Sequence, residues 1–472
     1  MICYRNFVQA LLFVVTFYCA MTAKSVHAQY QPPQEVVLVM YRLEDSGTKF
    51  IDPRTEQFVL CDRNMADIAK SYGCTAQPGL TDTINYDYPF NSSTITIGVE
   101  SDVHQVPTVN QPGGIPFNRN VQLGYLHNVV TQELGVQIKG SDTLPDDGYV
   151  PHSAIEAQAI ASRTFIYHRD HYRDQYGGVI DNSNAYQVFI PYTYDLLDAN
   201  SREDVDLGIA QRFYMTESVS SYPLDAQYGA DNDGDTTTGN PTLIGSINYL
   251  SSVQDPISAH QGTDFGTDRG GMASRGARRW SYGHQSWTPT EGGDFWSVQW
   301  NDAFKILTHY YTGIQIRDAD APSAETPEIP DYRWVPLEIQ ASALACVGKY
   351  TSLTVRLQNS GTEKWPNQSV IVNITHTGTD PVVAAAAGAI DSTIDGEILP
   401  GDDVEIELTI QPLTAGINHY YIDLYSNDAG GLFSHQLPAW PRYELWEIPA
   451  IECPTAAEGT FLPIIIQDIA VQ

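Results

Sequence analysis

A chain of 472 residues exceeds what one compact domain holds, so two or three are expected. With 42% apolar and 11% aromatic residues it is not a disordered chain. A formal charge of −32 makes the chain a poor ligand for DNA, RNA or an anionic membrane surface. The same charge would repel an anionic wall polymer but not an uncharged sugar ring bound by hydrogen bonds and aromatic stacking; solubility alone is a sufficient reason for it.

The N-terminus reads as a signal peptide over residues 1–28. Arg5 is followed by a short apolar run at residues 11–19, and Val26-His27-Ala28 gives a small-x-small cleavage pattern before Gln29. The run is too short and interrupted for a membrane span, and no later stretch is long enough to cross a bilayer. The expectation is an exported, extracellular or cell-surface protein with no transmembrane segment after signal removal. Cys3 and Cys19 fall in the leader, so Cys61, Cys74, Cys346 and Cys453 remain of the six cysteines. In an exported chain an even count points to disulfides, Cys61 with Cys74 and Cys346 with Cys453. Metal binding is the weaker reading, because no CxxC or clustered His accompanies them.

Residues 29–93 read as a β-rich accessory region, with strand patterning at residues 35–41 (EVVLVMY) and 58–61 (FVLC); residues 94–99 (TITIGV) continue it. The stretch 121–172 then organises the chain. Residues 121–135 (VQLGYLHNVVTQELG) predict a helix with Leu126, Val130 and Glu133 at i, i+4 and i+7 on one face. A carboxylate on an apolar stripe loses solvation, which raises its pKa and makes Glu133 a candidate general acid. Residues 151–172 (PHSAIEAQAIASRTFIYHRDHY) predict a second helix. It opens with a capping box at Ser153 and Glu156 and carries Ala154, Ala157, Ala159 and Ala161, which admit a close neighbour. On these residues alone, Glu133 is also readable as a helix-terminal carboxylate pointing inward and paired with Arg163, and the cap explains Glu156 without catalysis.

The two segments resemble the stage II sporulation protein D (SpoIID/LytB) family, which shows YL-x-x-VV-x-x-E-[ML] and then P-x-E-A-x-x-AQA-x-A-[AS]-R-T-[YF]. Further segments are similar in the same order. Residues 184–190 (NAYQVFI) stand where the family has a SQVY-like strand, so Gln187 is placed in the cleft. Residues 209–219 and 220–228 loosely follow strands of the family's sheet, and residues 249–256 (YLSSVQDP) follow YL-x-x-V-x-DP. Residues 266–280 (GTDRGGMASRGARRW) stand at the family's Gly-rich segment; Met272, Gly276 and Ala277 agree, but Asp268 replaces the usual His. Residues 295–311 (FWSVQWNDAFKILTHYY) predict an amphipathic helix with Trp296, Trp300, Ala303, Phe304, Leu307 and Tyr311 on one face and Gly313 as C-cap, like the helix that ends the family's domain. The resemblance implies an α+β core, a helical hairpin packed on a mixed β-sheet, over residues 94–318. A Pro, Ala, Asp and Glu-rich linker follows at 319–333. From residue 334 to 472, alternating runs at 351–357, 369–374, 403–410 and 418–424, split by turn residues, predict an all-β sandwich. The piece VRLQNSGTEKWP (residues 355–366) resembles extracellular Ig-like modules, and a spacer role is the plain reading for it.

The resemblance further implies an exported protein acting on peptidoglycan, either cleaving glycan strands as a lytic transglycosylase with Glu133 as its acid, or binding the wall and activating a partner amidase. A third reading is a structural surface protein. The expected cleft is lined by Gln158, Arg163, Gln187 and the 266–277 loop, with Asp268 and Arg269 among the substrate contacts. Arg163 is open to two readings, orienting Glu133 or a wall-peptide carboxylate, or serving as a structural or snorkelling residue; Gln158 reads as packing before ligand contact. Trp280, Tyr282 and Trp287 lie in a Gly and Ser-rich stretch, where sugar stacking competes with a small satellite core. Asp231-Asn-Asp-Gly-Asp235 reads as a solvated turn, with weak calcium binding second, since its Gly is misplaced and the closing Glu is absent. The His and Cys by which some family members bind zinc are missing around residues 228–234, so no metal and no cofactor is expected.

Overall fold

The computed structural model describes residues 30–39, 48–52, 57–61, 73–76, 83–85, 94–108, 117–136, 150–178, 180–182, 186–189, 193–217, 220–231, 248–259, 270–287, 292–322, 329–341, 345–368, 370–376, 392–435 and 444–453. The expected signal peptide at residues 1–28 lies outside them. The chain falls into two compact units, Met1–Tyr228 with Ile314–Glu328, and Gly229–Gly313 with Ile329–Gln472. Residues 229–313, which the sequence groups with the 94–318 core, belong in this division with the β-sandwich. Both helices and sheets are present in quantity, so the protein is a mixed α and β structure.

In the first unit, β1 (Glu35–Val39) alternates exposed and buried residues, as a half-buried strand should. β2 (Thr48–Asp52), β3 (Gln57–Cys61), β4 (Gly73–Ala76) and β5 (Thr83–Asn85) form an antiparallel sheet whose register sets Cys61 opposite Cys74. β6 (Thr94–Gly98) pairs antiparallel with β1, and Val36, Leu38, Ile95 and Ile97 are buried. That pairing crosses the 29–93 boundary drawn from sequence, so β1 belongs to the core. β7 (Val103–Thr108) pairs with β8 (Phe117–Gln122), and β8 leads into helix α1 (Tyr125–Glu133). The predicted helix therefore begins later than its sequence window, because Val121 and Gln122 finish a strand.

Helix α2 (His152–His171) has Pro151 as its N-cap residue, whose carbonyl accepts from the Ala154 and Ile155 amides. Ser153 is the second helical residue, so the N-cap position that the sequence assigns to it is taken by Pro151. The run of alanines is fully buried, as its small side chains suggest. Helix α3 (Ala199–Ala210), absent from the sequence reading, closes on α2 at Gly208, where a Cβ would stand 2.7 Å from Ile155 Cγ2. Its signal is Asp198, which caps the helix by accepting from the Ser201 amide at 2.9 Å. It buries only Val205, Gly208 and Ile209, too sparse an apolar face to announce itself. Of the strands expected at 209–228, β9 (Phe213–Glu217) forms. The two-residue strand β10 (Tyr228–Gly229) falls where the division is drawn, β11 (Met272–Ala273) belongs to the second unit, and β12 (Ile314–Asp318) pairs antiparallel with β9 in the first.

In the second unit, residues expected as a Gly-rich loop instead form helix α4 (Ser274–Tyr282). Gly276 is required there by packing: a Cβ would lie 2.1 Å from the Tyr310 hydroxyl. The helix expected over 295–311 is only α5 (Ala303–Tyr310), started by Asp302, which accepts from the Phe304 amide at 2.7 Å. The apolar periodicity before it has another cause. Trp296 and Trp300 are tied by their indole N–H groups to the carbonyls of Leu337 and Pro336. Those carbonyls lie in β13 (Trp334–Ala341) at the bulge between Pro336 and Glu338.

The remaining strands are β14 (Ala345–Cys346), β15 (Thr351–Asn359), β16 (Val370–His376), β17 (Ser392–Thr393), β18 (Asp403–Ile410), β19 (Gly416–Ser426), β20 (Gly431–Leu432) and β21 (Glu444–Ile451). One sheet runs β13-β15-β18; the other runs β14-β21-β19-β16-β17, with β20 on β19. Leu353, Val355, Leu357, Leu408 and Ile410 of the first sheet share a core with Tyr420, Ile422, Leu424, Ile448 and Ala450 of the second. Two sheets burying their inner faces in one core make this a β-sandwich. The expected Cys346–Cys453 disulfide is present and closes a separation of 107 residues. In the chain-entropy account a loop of that length is worth about 5 kcal/mol. The double variant Cys346→Ser/Cys453→Ser is therefore expected to shift the sandwich's thermal transition down and leave that of the first unit in place. Coincident shifts of both transitions would contradict this.

Candidate active site

Glu133 ends α1 with its side chain half-buried. Its Oε1 accepts the Val188 backbone N–H at 2.8 Å. Val188 lies in irregular backbone from Gln187 to Phe189, where the sequence suggested a strand; Asn182 brackets this segment, bonding the Phe189 amide and carbonyl, each at 3.3 Å. Gln187 is fully buried, and its Oε1 accepts the Tyr125 hydroxyl at 2.5 Å while its Nε2 donates to the Ser162 carbonyl at 3.4 Å. The Tyr125 ring stacks on Phe189, with centroids 5.7 Å apart. Burial pushes the Tyr125 hydroxyl well above its ordinary pKa, and the charges of Glu133 and Asp181 push it the same way. It is thus a fixed donor at neutral pH. Sequence reading picked out Glu133 and Gln187; it missed Tyr125, Asp181 and the Val188 amide. The Tyr at the head of the YL-x-x-VV segment was the available sign.

Two of the expected substrate contacts are consumed internally. Gln158 is buried and donates to Ser162 Oγ at 3.1 Å, which lies 3.2 Å from the Tyr228 hydroxyl. Arg163 is also buried, and each of its donors is used. Nε and one terminal nitrogen bond the two Glu100 oxygens at 2.8 Å each. The remaining N–H groups go to the carbonyls of Ile209, Gln211 and Phe213 at 2.7–3.0 Å. Arg163 therefore pairs with Glu100 and not with Glu133, and it offers nothing to a ligand. Gln187, expected to line a cleft, likewise faces inward and holds a loop.

Asp268 and Arg269 lie outside the described residues. Trp280 is a core residue: it stacks on Trp300 at 3.8 Å between centroids and donates to Asp255 at 2.8 Å. The guanidinium groups of Arg275 and Arg278 stand 4.8 and 4.6 Å from the half-buried Trp287 ring. Asp231, the first residue of the possible calcium turn, is held by Arg279 through bonds of 2.7 and 2.8 Å; the rest of that turn lies outside the described residues. Among the described residues, no group of three or more His, Cys, Asp or Glu could hold a metal, and no helix is long and apolar enough to cross a membrane.

Compared with known proteins, the chain matches no family profile and no curated sequence. Among solved structures it is similar to the solution structure of a CARDB domain from Pyrococcus furiosus, at 17% identity and a TM-score of 0.18 over 26% of this chain and 97% of that one. A crystal structure of the same domain with di-metal ions gives 12% identity and a TM-score of 0.17 over 26% and 92%. A PapD-like domain of human CEP192 gives 15% identity and a TM-score of 0.16 over 28% and 93%. Likenesses this slight carry no argument, and the sandwich rests on its own strand order and core.

Proposed function

We propose that this chain is an exported cell-wall protein of the stage II sporulation protein D type that cleaves peptidoglycan glycan strands as a lytic transglycosylase. In this reading α1 and α2 are the family's helical hairpin and Glu133 is the acid. The observation that carries it is the placement of Glu133: a half-buried carboxylate at a helix end, one oxygen fixed by the Val188 amide. The reaction needs a single carboxyl group. It donates its proton to the glycosidic oxygen as that bond breaks and an oxocarbenium-like centre develops. The carboxylate then takes the proton of the sugar's own 6-hydroxyl, whose oxygen bonds to the anomeric carbon and closes an anhydro ring. The acid is regenerated, with no water consumed.

The second reading is a wall-binding activator of a partner N-acetylmuramoyl-L-alanine amidase. It gains ground from one specific finding that weakens the cleavage reading: Gln158, Arg163 and Gln187, placed in the expected cleft, are committed to internal bonds. Product analysis on purified cell wall separates the two. Anhydro-sugar ends released by the chain alone support cleavage. Peptide stems released only when an amidase is added support activation. Neither product points to a structural surface protein.

A further inference from the structure

We propose that Tyr125 is the positioning residue for Glu133, acting through the Gln187–Phe189 backbone; its catalytic consequence rests on the lytic reading above, its structural part does not. Three consecutive residues of an irregular segment are each held by α1. Tyr125 grips the first by the hydroxyl bond to Gln187 Oε1 and the third by stacking on Phe189. Glu133 takes the middle one through the Val188 amide. Tyr125 and Glu133 are eight residues apart, about 12 Å along the helix axis. Glu133 leans back toward the N-terminus as helical side chains do, so the two reach one short stretch of backbone.

A backbone amide in irregular structure is a poor fixed point unless something else immobilises it. Here the immobilising contact on the α1 side is the tyrosine. The hydroxyl adds to the ring a directional bond of 2.5 Å to a side chain with no solvent exposure. Without it the Gln187 side-chain oxygen, Oε1, would lose a buried donor, and the segment would gain freedom where it meets Glu133. A carboxyl that must first give and then take a proton within one active-site visit depends on such placement, since small displacements of a catalytic group cost large factors in rate.

The test is Tyr125→Phe in the full chain, which keeps the ring on Phe189 and deletes only the hydroxyl. Hydrogen exchange of the peptide containing Gln187–Phe189 is followed by mass spectrometry, with peptides from β9 and β12 as the control for global opening. Protection at Val188 is expected to fall on the order of tenfold while the control peptides hold. Glu133→Gln, which keeps a carbonyl acceptor for the Val188 amide, is expected to leave that protection near wild type. With glycan strands as substrate, Tyr125→Phe is expected to lower kcat, normalised to the folded fraction that the β9 and β12 control peptides report, about tenfold at unchanged KM, the pattern of an interaction made only in the transition state. Unchanged Val188 protection overturns the proposal, and so does full cleavage activity in a variant whose Val188 has loosened. If the wild type releases no anhydro ends but Val188 loosens as expected, the lytic reading fails and the placement of Glu133 by Tyr125 stands.

Discussion

Glu133→Gln is expected to abolish anhydro-sugar release from purified wall, by about 10⁴-fold in kcat, with the fold intact. General acid–base catalysis by one group contributes about 10²–10⁴-fold. The upper end applies here because the same carboxyl would act in both halves of the reaction, first as donor and then as acceptor. The substitution is chosen for what it keeps. Gln matches Glu in shape and retains an oxygen where Oε1 now meets the Val188 amide, at 2.8 Å. Only the transferable proton is lost. Substrate binding, read by co-sedimentation with insoluble wall, should be unchanged. Undiminished cleavage by the variant would remove Glu133 from the role; loss of wall binding together with cleavage would move it from chemistry to recognition.

The residues that were legible in the sequence and those that were not differ in a physical way. The alanines of α2 and the alternating strands of the sandwich report a local property, burial on a periodic face, and periodicity survives in one dimension. Glu133 and Tyr125 sat in one short segment, yet only the acid carried an obvious chemistry. Arg163 shows why the rest was hidden. Its partner Glu100 lies 63 positions earlier and its carbonyl acceptors 46 to 50 positions later. Nothing in a helix of small residues distinguishes an arginine that will be swallowed from one that will meet a ligand. Trp296 and Trp300 mimicked a helical face for the same reason, since their indoles answer to carbonyls of β13 about 40 residues away. Helix α3 failed in the opposite sense: it exists through its Asp198 cap and a close approach at Gly208, neither of which makes an apolar stripe.

Arg163→Met is expected to cost the first unit about 3–5 kcal/mol at neutral pH, the range for breaking a buried ion pair by removing one partner. Against a typical total of about 5–15 kcal/mol, that brings the unit close to unfolding. The loss is large because five donated bonds go at once: two to Glu100 and one each to the carbonyls of Ile209, Gln211 and Phe213. Arg163→Lys, with three donors, should fall between. The pH dependence identifies the cause. Burial alone would raise the Glu100 pKa, but the charge and hydrogen bonds of Arg163, with help from Arg212 and Tyr167, outweigh it and hold the carboxyl below its ordinary value. A carboxyl whose folded pKa is depressed contributes stability that is fully present above its unfolded pKa, about 4.3, and is lost as pH falls through the folded value. The wild type should therefore lose this contribution in acid, whereas in Arg163→Met protonation relieves a half-buried charge left short of its main partner. The stability gap between the two, measured by urea unfolding, should be widest near pH 7 and narrow below pH of about 4. A gap that does not change with pH would assign the cost to lost packing of the arginine stem, and the Glu100 ion pair would not be what holds β9, α2 and the end of α3 together.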